Sequence, residues 1–474
     1  MTRDQSLPPL SEEFASAKLG DLRRERRLMK VLDSADRAAG ESLPRQAGGN
    51  ESLLEGTYRL LSNGNVTPES ILGAHQDRTA DRARALQTVV VAHDTTTLEF
   101  QGEKLRDGLG PLCGQGQGFY AHYSLAMSLT GEPLGVIGLR AWRRGLRPKG
   151  KLHPRERIRD PDRESLRWHE AVHEVAERMG ENTRTIHVMD READSYELLA
   201  DLLEHDQHFV IRVAHDRLLG NADPKDKTRL YAALAETEVL LEREVQLSRR
   251  KAPRGSKAKH INPARKGRLA QLQVRAGSMQ IARGRDLLFH LPDKLTLNFV
   301  EVVELQAPEG QSPVLWRLVT TEPIGTAAEI AAVIDMYRMR WLIEEYFKAL
   351  KTGCNFEKLQ LESAPPLVMA LAIFSAVAWR LLLVRWMQRE LPEAPAALVV
   401  NPTQLVLLGR YMKRIRRHWP EKPSCQDVLL AIAAIGGHIP NNGSPGWQVI
   451  GRGFHDLLLM EVGWHDAMAE RCDQ

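Results

Sequence analysis

Four polar side chains with different chemistries recur at helical spacing within the segment MYRMRWLIEEYFKALKTG. They are Tyr337, Arg340, Glu344 and Lys351, and at about 100° per residue all four fall within roughly 60° of one another on a helix. One helix face would therefore carry a phenol, a guanidinium, a carboxylate and an ammonium. Such a face can grip a phosphate through its donors and hold a metal ion through its carboxylate. The alternative is a solvent-exposed face on which opposite charges pair.

Two further carboxylates follow apolar runs that are typical of buried strands. Residues 89–91 are three consecutive valines, and Asp94 comes shortly after them. Runs of β-branched residues of this kind form strands that are buried on both faces. Residues 186–189 form a second apolar run, which Asp190 follows directly. We therefore expect both aspartates at strand ends, where they could join Glu344 around a metal site.

Asp190 shares the segment DREAD with two other acids, Glu192 and Asp194. Asp190 is the preferred ligand because it directly follows the apolar run, and we expect Asp194 to cap or face the following helix. Three carboxylates suit two divalent cations, which would activate an attacking water or 3′-hydroxyl and stabilise the departing oxygen of a phosphodiester. Ligands that are all oxygens favour Mg²⁺, with Mn²⁺ as a substitute.

The composition is that of a large globular protein with clustered basic residues. With 474 residues, of which 43% are hydrophobic and 27% charged, the chain can bury a sizeable core and should form two or three domains. The net charge is only +4, but Lys and Arg number 65, and two of their clusters lie in predicted loops at 143–159 and 249–268. Clustered positive charge predicts a polyanionic partner, although a solvated basic surface has the same composition.

The cysteines and the apolar segments bear on the compartment. The four cysteines are far apart and form no CxxC pair, which argues against a disulfide framework or a zinc site and predicts a reducing interior such as the cytoplasm. The first ten residues lack the apolar stretch of a signal peptide. The longest apolar run, Leu367 to Trp379, is too short to span a bilayer and predicts a buried helix.

The order of patterns along the chain predicts three domains. Residues 1–67 combine helical periodicity with a cluster of arginines, as a helical DNA-binding domain would. Residues 68–390 alternate apolar strands with helices. Within them, residues 216–319 have the alternating pattern of an antiparallel sheet that is solvated on one side. Residues 391–474 are predominantly helical.

Three motifs together resemble those of a known enzyme family. The segments HDTTTLEF and VMDREAD and the spacing Y-x2-R-x3-E-x6-K resemble the DDE transposases of bacterial insertion sequences, in the group that includes transposon-five transposase. The similarity extends from LGDLRRERRL and EGTYRL near the start to the glycine-rich helical tail. The resemblance implies an α/β fold: a ribonuclease-H-like catalytic core with an antiparallel β insertion, an N-terminal domain that reads the transposon end, and a C-terminal helical dimerisation domain.

The resemblance also implies a reaction and a set of site residues. In the family, two protomers each bind one double-stranded inverted-repeat end and cleave the other in trans, by nicking, hairpin formation, hairpin opening and transfer of the 3′ ends to target DNA. The implied ligands of two Mg²⁺ ions are Asp94, Asp190 and Glu344. The implied DNA contacts are Tyr337, Arg340 and Lys351 at the phosphate of a flipped base, Trp316 stacked on that base, Arg212 nearby, and Arg24 and Arg27 on the transposon end.

Two other functions remain open from the sequence. A metal-dependent DNA nuclease could use the same site without strand transfer. A DNA-binding protein that no longer catalyses could inhibit transposition by trapping active subunits in mixed dimers. The complete set of three carboxylates, together with the basic N-terminal segment, favours the transposase over both. Without the resemblance, Trp316 is better explained as a core tryptophan in a strand.

Overall fold

The structure is a computed structural model that describes most of the chain. The described residues are 7–102, 105–112, 116–144, 156, 160, 163–220, 227–247, 266–285, 287, 290–439 and 444–472. The predicted basic loop at 143–159 lies mostly outside these ranges, and the loop at 249–268 lies almost entirely outside them. Both therefore stay predictions.

One mixed sheet forms the centre of the protein. Within the described ranges its strands are β1 (Thr88–Phe100), β2 (Gly110–Pro111), β3 (Gln117–Ser128), β4 (Pro133–Trp142), β5 (Arg184–Met189), β6 (His208–Arg212), β7 (Val239–Leu247), β8 (Arg268–Ala282), β9 (Lys294–Glu304) and β10 (Leu315–Thr320). Their order is β2-β3-β1-β5-β6-β10-β9-β8-β7, and β4 also pairs with β3. Strand β1 is antiparallel to β3 and parallel to β5, and β5 is parallel to β6. The predicted α/β class is confirmed.

Residues 89–93 of strand β1 are completely buried, as the three valines at 89–91 predict. The strand does not end at Asp94, however. Residues 95–100 continue the antiparallel ladder by pairing with residues 117–122 of β3. Asp94 therefore lies in the middle of β1. The predicted strand end is wrong because the ladder with β3 supplies the backbone hydrogen bonds whether the side chains are apolar or polar.

Strands β7 to β10 extend the sheet beyond β6 as an antiparallel ladder. Strand β10 pairs with β6 and β9, β9 with β8, and β8 with β7. Alternate residues of β8 are buried, namely Ala270, Leu272, Val274 and Ala276. The predicted antiparallel sheet with one solvated side is thus present. The domain boundaries stay predictions.

Helices account for most of the remaining described chain. They are α1 (Leu22–Arg37), α2 (Leu43–Gln46), α3 (Glu51–Leu61), α4 (Pro68–Arg84), α5 (Leu166–Met179), α6 (Tyr196–Glu204), α7 (Leu230–Ala235), α8 (Ala327–Met339), α9 (Trp341–Lys348), α10 (Ala364–Glu390), α11 (Pro402–Arg414), α12 (Cys425–Ile435) and α13 (Trp447–Cys472). Helix α1 is capped by Asp21, which accepts a hydrogen bond from the backbone of its first turn, and it buries the apolar face at Leu28 and Leu32.

The segment with the four polar side chains is not one continuous helix. Helix α8 begins after the Thr326 N-cap, as its sequence suggests. It ends one residue before Arg340, and α9 begins one residue after it. Residues 349–353, which include Lys351, form a π-helical turn. The predicted single helix is therefore wrong, because a π turn is wider than an α turn and changes the direction in which Lys351 leaves the backbone. Tyr337, Arg340 and Glu344 still lie next to one another.

Helix α10 is the apolar centre of the fold. By length and composition alone it could cross a membrane, but 89% of its apolar window is buried inside the protein. The buried helix predicted from residues 367–379 is therefore confirmed. Leu28 of α1, Val90 of β1 and Val428 of α12 belong to the same apolar core as α10. One apolar core therefore includes residues from each of the three segments, 1–67, 68–390 and 391–474.

Candidate active site

Asp94 and Asp190 lie side by side on adjacent strands. His93 of β1 pairs with Met189 of β5, and the two aspartates are the next residues on these parallel neighbours. Parallel strands lie about 4.8 Å apart, so the two backbones hold the carboxylates close together. Asp190 also caps the short helical turn after β5 by accepting a hydrogen bond from the Glu192 amide at 2.8 Å.

Glu344 is joined to this pair through Arg340. The guanidinium donates to Asp94 Oδ2 at 3.0 Å and to Glu344 Oε1 at 2.7 Å. Arg340 stands at the break between α8 and α9, and Glu344 lies one turn further along α9. The three acids Asp94, Asp190 and Glu344 are called the carboxylate cluster below.

Burial and the charges of neighbouring residues shift pKa values within the carboxylate cluster and at Arg340. Burial raises the pKa of Asp94 from its ordinary 3.8 to about 6. The negative charges of Asp190 and Glu344 add to this rise in pKa, and Arg340 opposes it. Burial also disfavours the charged guanidinium, but neighbouring acids outweigh burial and raise the pKa of Arg340. Carboxylates that resist ionising together are common in sites that bind cations or perform catalysis.

The carboxylate cluster fits divalent cations. Its donors are carboxylate oxygens from β1, the end of β5 and α9, and such hard ligands suit Mg²⁺ and Mn²⁺. A cation between them would remove the repulsion that contributes to the raised pKa of Asp94. Asp94, Asp190 and Glu344 are therefore the residues that would hold metal ions.

A second arginine lies near this site and was not predicted from the sequence. Arg167, in the first turn of α5, donates to Thr95 Oγ1 at 3.0 Å and to Glu192 Oε2 at 2.7 Å. Asp190 is close enough that its negative charge favours the charged form of Arg167. The Arg167 side chain is only 14% exposed. No sequence signal separates Arg167 from the other arginines of RERIRDPDRESLRW.

Trp316 and Tyr337 pack against each other beside Arg340. Their ring centroids are 5.6 Å apart in an edge-to-face arrangement, and the Arg340 guanidinium lies 6.0 Å from the Tyr337 ring. Tyr337 is 5% exposed, and Trp316 is half-buried on β10. The structure thus brings both aromatic residues to the site, and their DNA contacts stay predictions.

Arg212 lies at the same level of the sheet as the aspartates. The residue before it pairs with Met189 of β5, so Arg212 and Asp190 are equivalent positions on parallel neighbours. Its Nη2 donates to the Leu315 carbonyl at 3.3 Å. Strands β1, β5 and β6 therefore place Asp94, Asp190 and Arg212 along one line across the sheet.

Lys351 lies further away, on the π-helical turn. Its Nζ donates to the Thr97 carbonyl of β1 and is 3.5 Å from Glu357 Oε1. Thr97 is three residues beyond Asp94, which is roughly 10 Å along a strand. Lys351 is therefore outside the carboxylate cluster but beside the same strand, and its phosphate contact stays a prediction.

The other two acids of DREAD are engaged elsewhere. Asp194 is buried, forms an ion pair with Arg217 at 2.6 Å and accepts hydrogen bonds from two backbone amides after β6. Glu192 pairs with Arg167 at 2.7 Å. Ser195 caps α6, so the capping role expected for Asp194 is wrong. Its buried carboxylate instead fixes the loop after β6, because that loop supplies the donors it needs.

Three buried histidines lie on the opposite face of the sheet from Asp94. His93 Nε2 is 2.8 Å from His187 Nδ1, and the His93 and His122 rings stack at 6.1 Å. Burial lowers the pKa of His122 to about 3 and that of His187 to about 4. Burial also lowers the pKa of His93 well below its ordinary value. These neutral rings therefore do not offset the negative charge of the carboxylate cluster.

The two predicted N-terminal DNA contacts are partly engaged with their own segment. Arg24 Nη1 donates to the Leu19 carbonyl at 3.0 Å, and Arg27 Nη1 donates to the Ser52 carbonyl at 3.1 Å. The Arg27 guanidinium also lies against Gly56 of α3. Both DNA contacts stay predictions. Three other basic residues of α1 are exposed, namely Arg23, Arg26 and Lys30.

Comparisons with known proteins find two transposase domains in this chain. The family model described as transposase DDE domain matches residues 165–379, which include Asp190 and Glu344, while Asp94 precedes the match. The family model described as transposase DNA-binding matches residues 9–66. A transposase DDE domain cleaves and transfers DNA with the help of divalent metal ions. The DDE domain and the DNA-binding domain implied by the resemblance are thus confirmed.

A solved structure with some similarity is the cryo-EM structure of a piggyBac transposase synaptic complex with hairpin DNA. The TM-score is 0.35 at 9% sequence identity, over 78% of this chain and 66% of that chain. This chain thus spans just under two thirds of the other. At such a TM-score the similarity supports no functional conclusion.

Proposed function

We propose that this chain, which carries a transposase DDE domain and a transposase DNA-binding domain, is a cut-and-paste DNA transposase. It would bind inverted-repeat ends, cleave them through a hairpin intermediate and transfer the 3′ ends to target DNA. The proposal includes a bacterial insertion-sequence origin in the transposon-five group and action in the cytoplasm.

One observation supports the proposal above all others. Asp94 of β1, Asp190 at the end of β5 and Glu344 of α9 come together although they are far apart along the chain. The raised pKa of Asp94 means that ionising this carboxylate costs folding stability. A fold that needed these residues only for packing would gain by replacing them, so the convergence favours a functional role.

Two Mg²⁺ ions held by the carboxylate cluster would activate the attacking oxygen and stabilise the departing oxygen of an in-line phosphodiester displacement. Arg340 has a separate task. A guanidinium carries five N–H donors, so Arg340 can keep its bond to Glu344 while it turns other donors from Asp94 to a phosphate oxygen. That movement would place the strand and leave Asp94 free to act as a ligand.

The surrounding side chains would hold the DNA strand. Trp316 is the proposed platform for a flipped base, and stacking returns about 1–3 kcal/mol of the few kcal/mol that unstacking costs. Its edge-to-face contact with Tyr337 would open to admit the base and expose the phenol to the phosphate. Lys351 beside β1 and Arg212 on β6 would hold the strand on either side of the cluster.

The remaining parts of the chain have proposed roles in assembly. Residues 1–67 would read the transposon end through Arg24 and Arg27, which lie on the helix α1 of the matched DNA-binding segment. Residues 391–474 would dimerise, so that each protomer of a homodimer cleaves the end held by the other.

The decisive experiment is a cleavage and joining assay with purified protein, Mg²⁺ and DNA bounded by the inverted repeats that flank the coding region. Glu344→Ala should retain end binding and lose cleavage, because binding and chemistry use different residues. A matched control is Asp81→Asn on α4, whose 71%-exposed carboxylate pairs with Arg84, and it should cleave like the wild type. Normal cleavage by Glu344→Ala would show that the active site is elsewhere.

Two further measurements distinguish the proposed function from the alternatives. A DNA nuclease would release nicked or broken products, whereas a transposase also yields product joined to target DNA. Sedimentation of the end-bound complex should give two protomers with two ends. A complex of one protomer with one end would exclude cleavage in trans.

A further inference from the structure

A second group of metal-binding side chains lies outside the carboxylate cluster, where α5 faces α6. His169 and His173 are four residues apart on α5. Asp201 lies on α6, and His205, four residues later, is the C-cap residue of that helix. Side chains at this spacing lie on the same face of a helix. One helix thus presents an H-x3-H pair to a D-x3-H pair on the other.

The potential ligand atoms are already close to one another. Asp201 Oδ2 lies 2.8 Å from His169 Nδ1 and 3.1 Å from His173 Nε2, and Asp201 Oδ1 lies 3.2 Å from His205 Nδ1. One ligand atom from each of His173, Asp201 and His205 can be chosen so that all three lie within 4.8 Å of one another. In a tetrahedral Zn²⁺ site with bonds of about 2.0–2.1 Å, neighbouring ligand atoms are roughly 3.3 Å apart. Small side-chain rotations would therefore suffice to surround an ion.

The apolar core fixes the two helices that carry these side chains. Trp168 and Val172 of α5 and Leu198 and Leu202 of α6 belong to one buried cluster. These residues are next to or close to the ligand positions, so the backbones that carry the ligands are held in place. Two of the imidazoles are also accessible from solvent, with 44% of the His173 side chain and 51% of the His205 side chain exposed. An ion could therefore enter without opening the fold.

We infer that His169, His173, Asp201 and His205 form a binding site for a transition-metal ion of the Zn²⁺ class. Imidazole nitrogens select Zn²⁺, Ni²⁺ or Cu²⁺, whereas the carboxylate cluster offers only oxygens and suits Mg²⁺. The two sites are therefore chemically distinct. The helices α5 and α6 precede and follow the segment of β5 and Asp190, so a bound ion would clamp together two elements that flank a proposed catalytic residue. The inference does not depend on the proposed function.

The competing explanation is a cluster held together by hydrogen bonds alone. A carboxylate has about four acceptor positions, enough for three imidazole N–H donors. Direct binding distinguishes the two. The full-length protein, stripped with a chelator and kept in excess Mg²⁺ to saturate the carboxylate cluster, is titrated with Zn²⁺ by equilibrium dialysis. Co²⁺ then replaces Zn²⁺ as a probe, because its visible absorption reports tetrahedral coordination.

The wild type should bind one more Zn²⁺ per chain than His173→Ala, or bind it at least about tenfold more tightly. His205→Ala provides a second variant at an equally exposed position, and His418→Ala, which removes an exposed histidine elsewhere, is the matched control that should bind like the wild type. Zn²⁺ should also raise the thermal unfolding temperature of the wild type and of His418→Ala more than that of the two ligand variants. Equal Zn²⁺ stoichiometry and affinity in all four proteins would overturn the inference, as would a Co²⁺ spectrum without tetrahedral bands.

Discussion

Replacing Asp94 by Asn should stabilise the protein when divalent cations are chelated, although it should abolish cleavage. Burial, together with the charges of Asp190 and Glu344, raises the pKa of Asp94 from 3.8 to about 6. A folded-state pKa above the unfolded one contributes stability that is fully present below pH 3.8 and is lost as the pH rises through about 6. Asn has the shape of the protonated acid and never ionises, so the variant does not lose this stability.

The expected size follows from the change in pKa. At about 1.4 kcal/mol per pKa unit, ionisation of Asp94 costs the wild type about 2 kcal/mol of unfolding free energy at pH 5 and about 3 kcal/mol at pH 8. The gain from Asp94→Asn should therefore be larger at pH 8 than at pH 5. The Asp94 side chain is only 20% exposed, so solvent screening should reduce the gain little.

The assay is urea unfolding in EDTA at pH 5 and pH 8, followed by tryptophan fluorescence and circular dichroism. The control is Asp81→Asn, which removes an exposed carboxylate paired with Arg84 and should stay within about 0.5 kcal/mol of the wild type. Adding Mg²⁺ should stabilise the wild type and change Asp94→Asn little. If the two proteins were equally stable at pH 8, or if the gain did not vary with pH, the argument from buried like charges would be refuted.

Three further changes test other contacts. Arg340→Gln removes the cation that opposes the raised pKa of Asp94, so the acidic limb of the pH profile of cleavage should move to higher pH. Arg338→Gln, a surface control on the preceding helix α8, should leave that limb in place. Trp316→Ala should preserve the first nick but lower the rate of hairpin formation roughly 5- to 150-fold, the equivalent of about 1–3 kcal/mol of stacking. An equal loss of both steps would contradict a base-stacking role. Gly56→Ala would place a Cβ 2.3 Å from Arg27 Cζ and push the guanidinium aside. The free energy of unfolding of this variant should equal that of the wild type or exceed it by up to about 1 kcal/mol. Its affinity for transposon-end DNA should fall in a gel-shift assay, and unchanged affinity would argue against Arg27 as a DNA contact.

Sequence reasoning succeeded where the signal is local. The apolar run at 89–91 predicts a buried strand, and the run at 186–189 predicts the strand that ends just before Asp190. In each case the residues that decide the structure are within a few positions of one another.

Predictions from the sequence are wrong or missing where a residue far along the chain determines the local structure. The continuation of β1 past Asp94 depends on β3, because the ladder from 95 to 100 needs a partner strand that polarity alone does not reveal. Arg167 reaches Thr95 only because α5 packs against the sheet. The sequence near Arg340 likewise contains no glycine or proline that would predict the helix break there.

The two hydrogen bonds of Arg340 help to explain how the site holds together. Arg340 and Glu344 are an i, i+4 pair, which an unbroken helix would already bring together. The pair alone would lie on a helix surface, but Arg340 also reaches Asp94 on a buried strand. A fold accepts such a costly arrangement of charges only when the surrounding packing fixes it, and here the fully buried residues 89–93 of β1 and the apolar helix α10 provide that packing. Packing of the core thus stabilises the fold, and the repulsion within the carboxylate cluster destabilises it. This balance is expected of a site that is completed by bound cations.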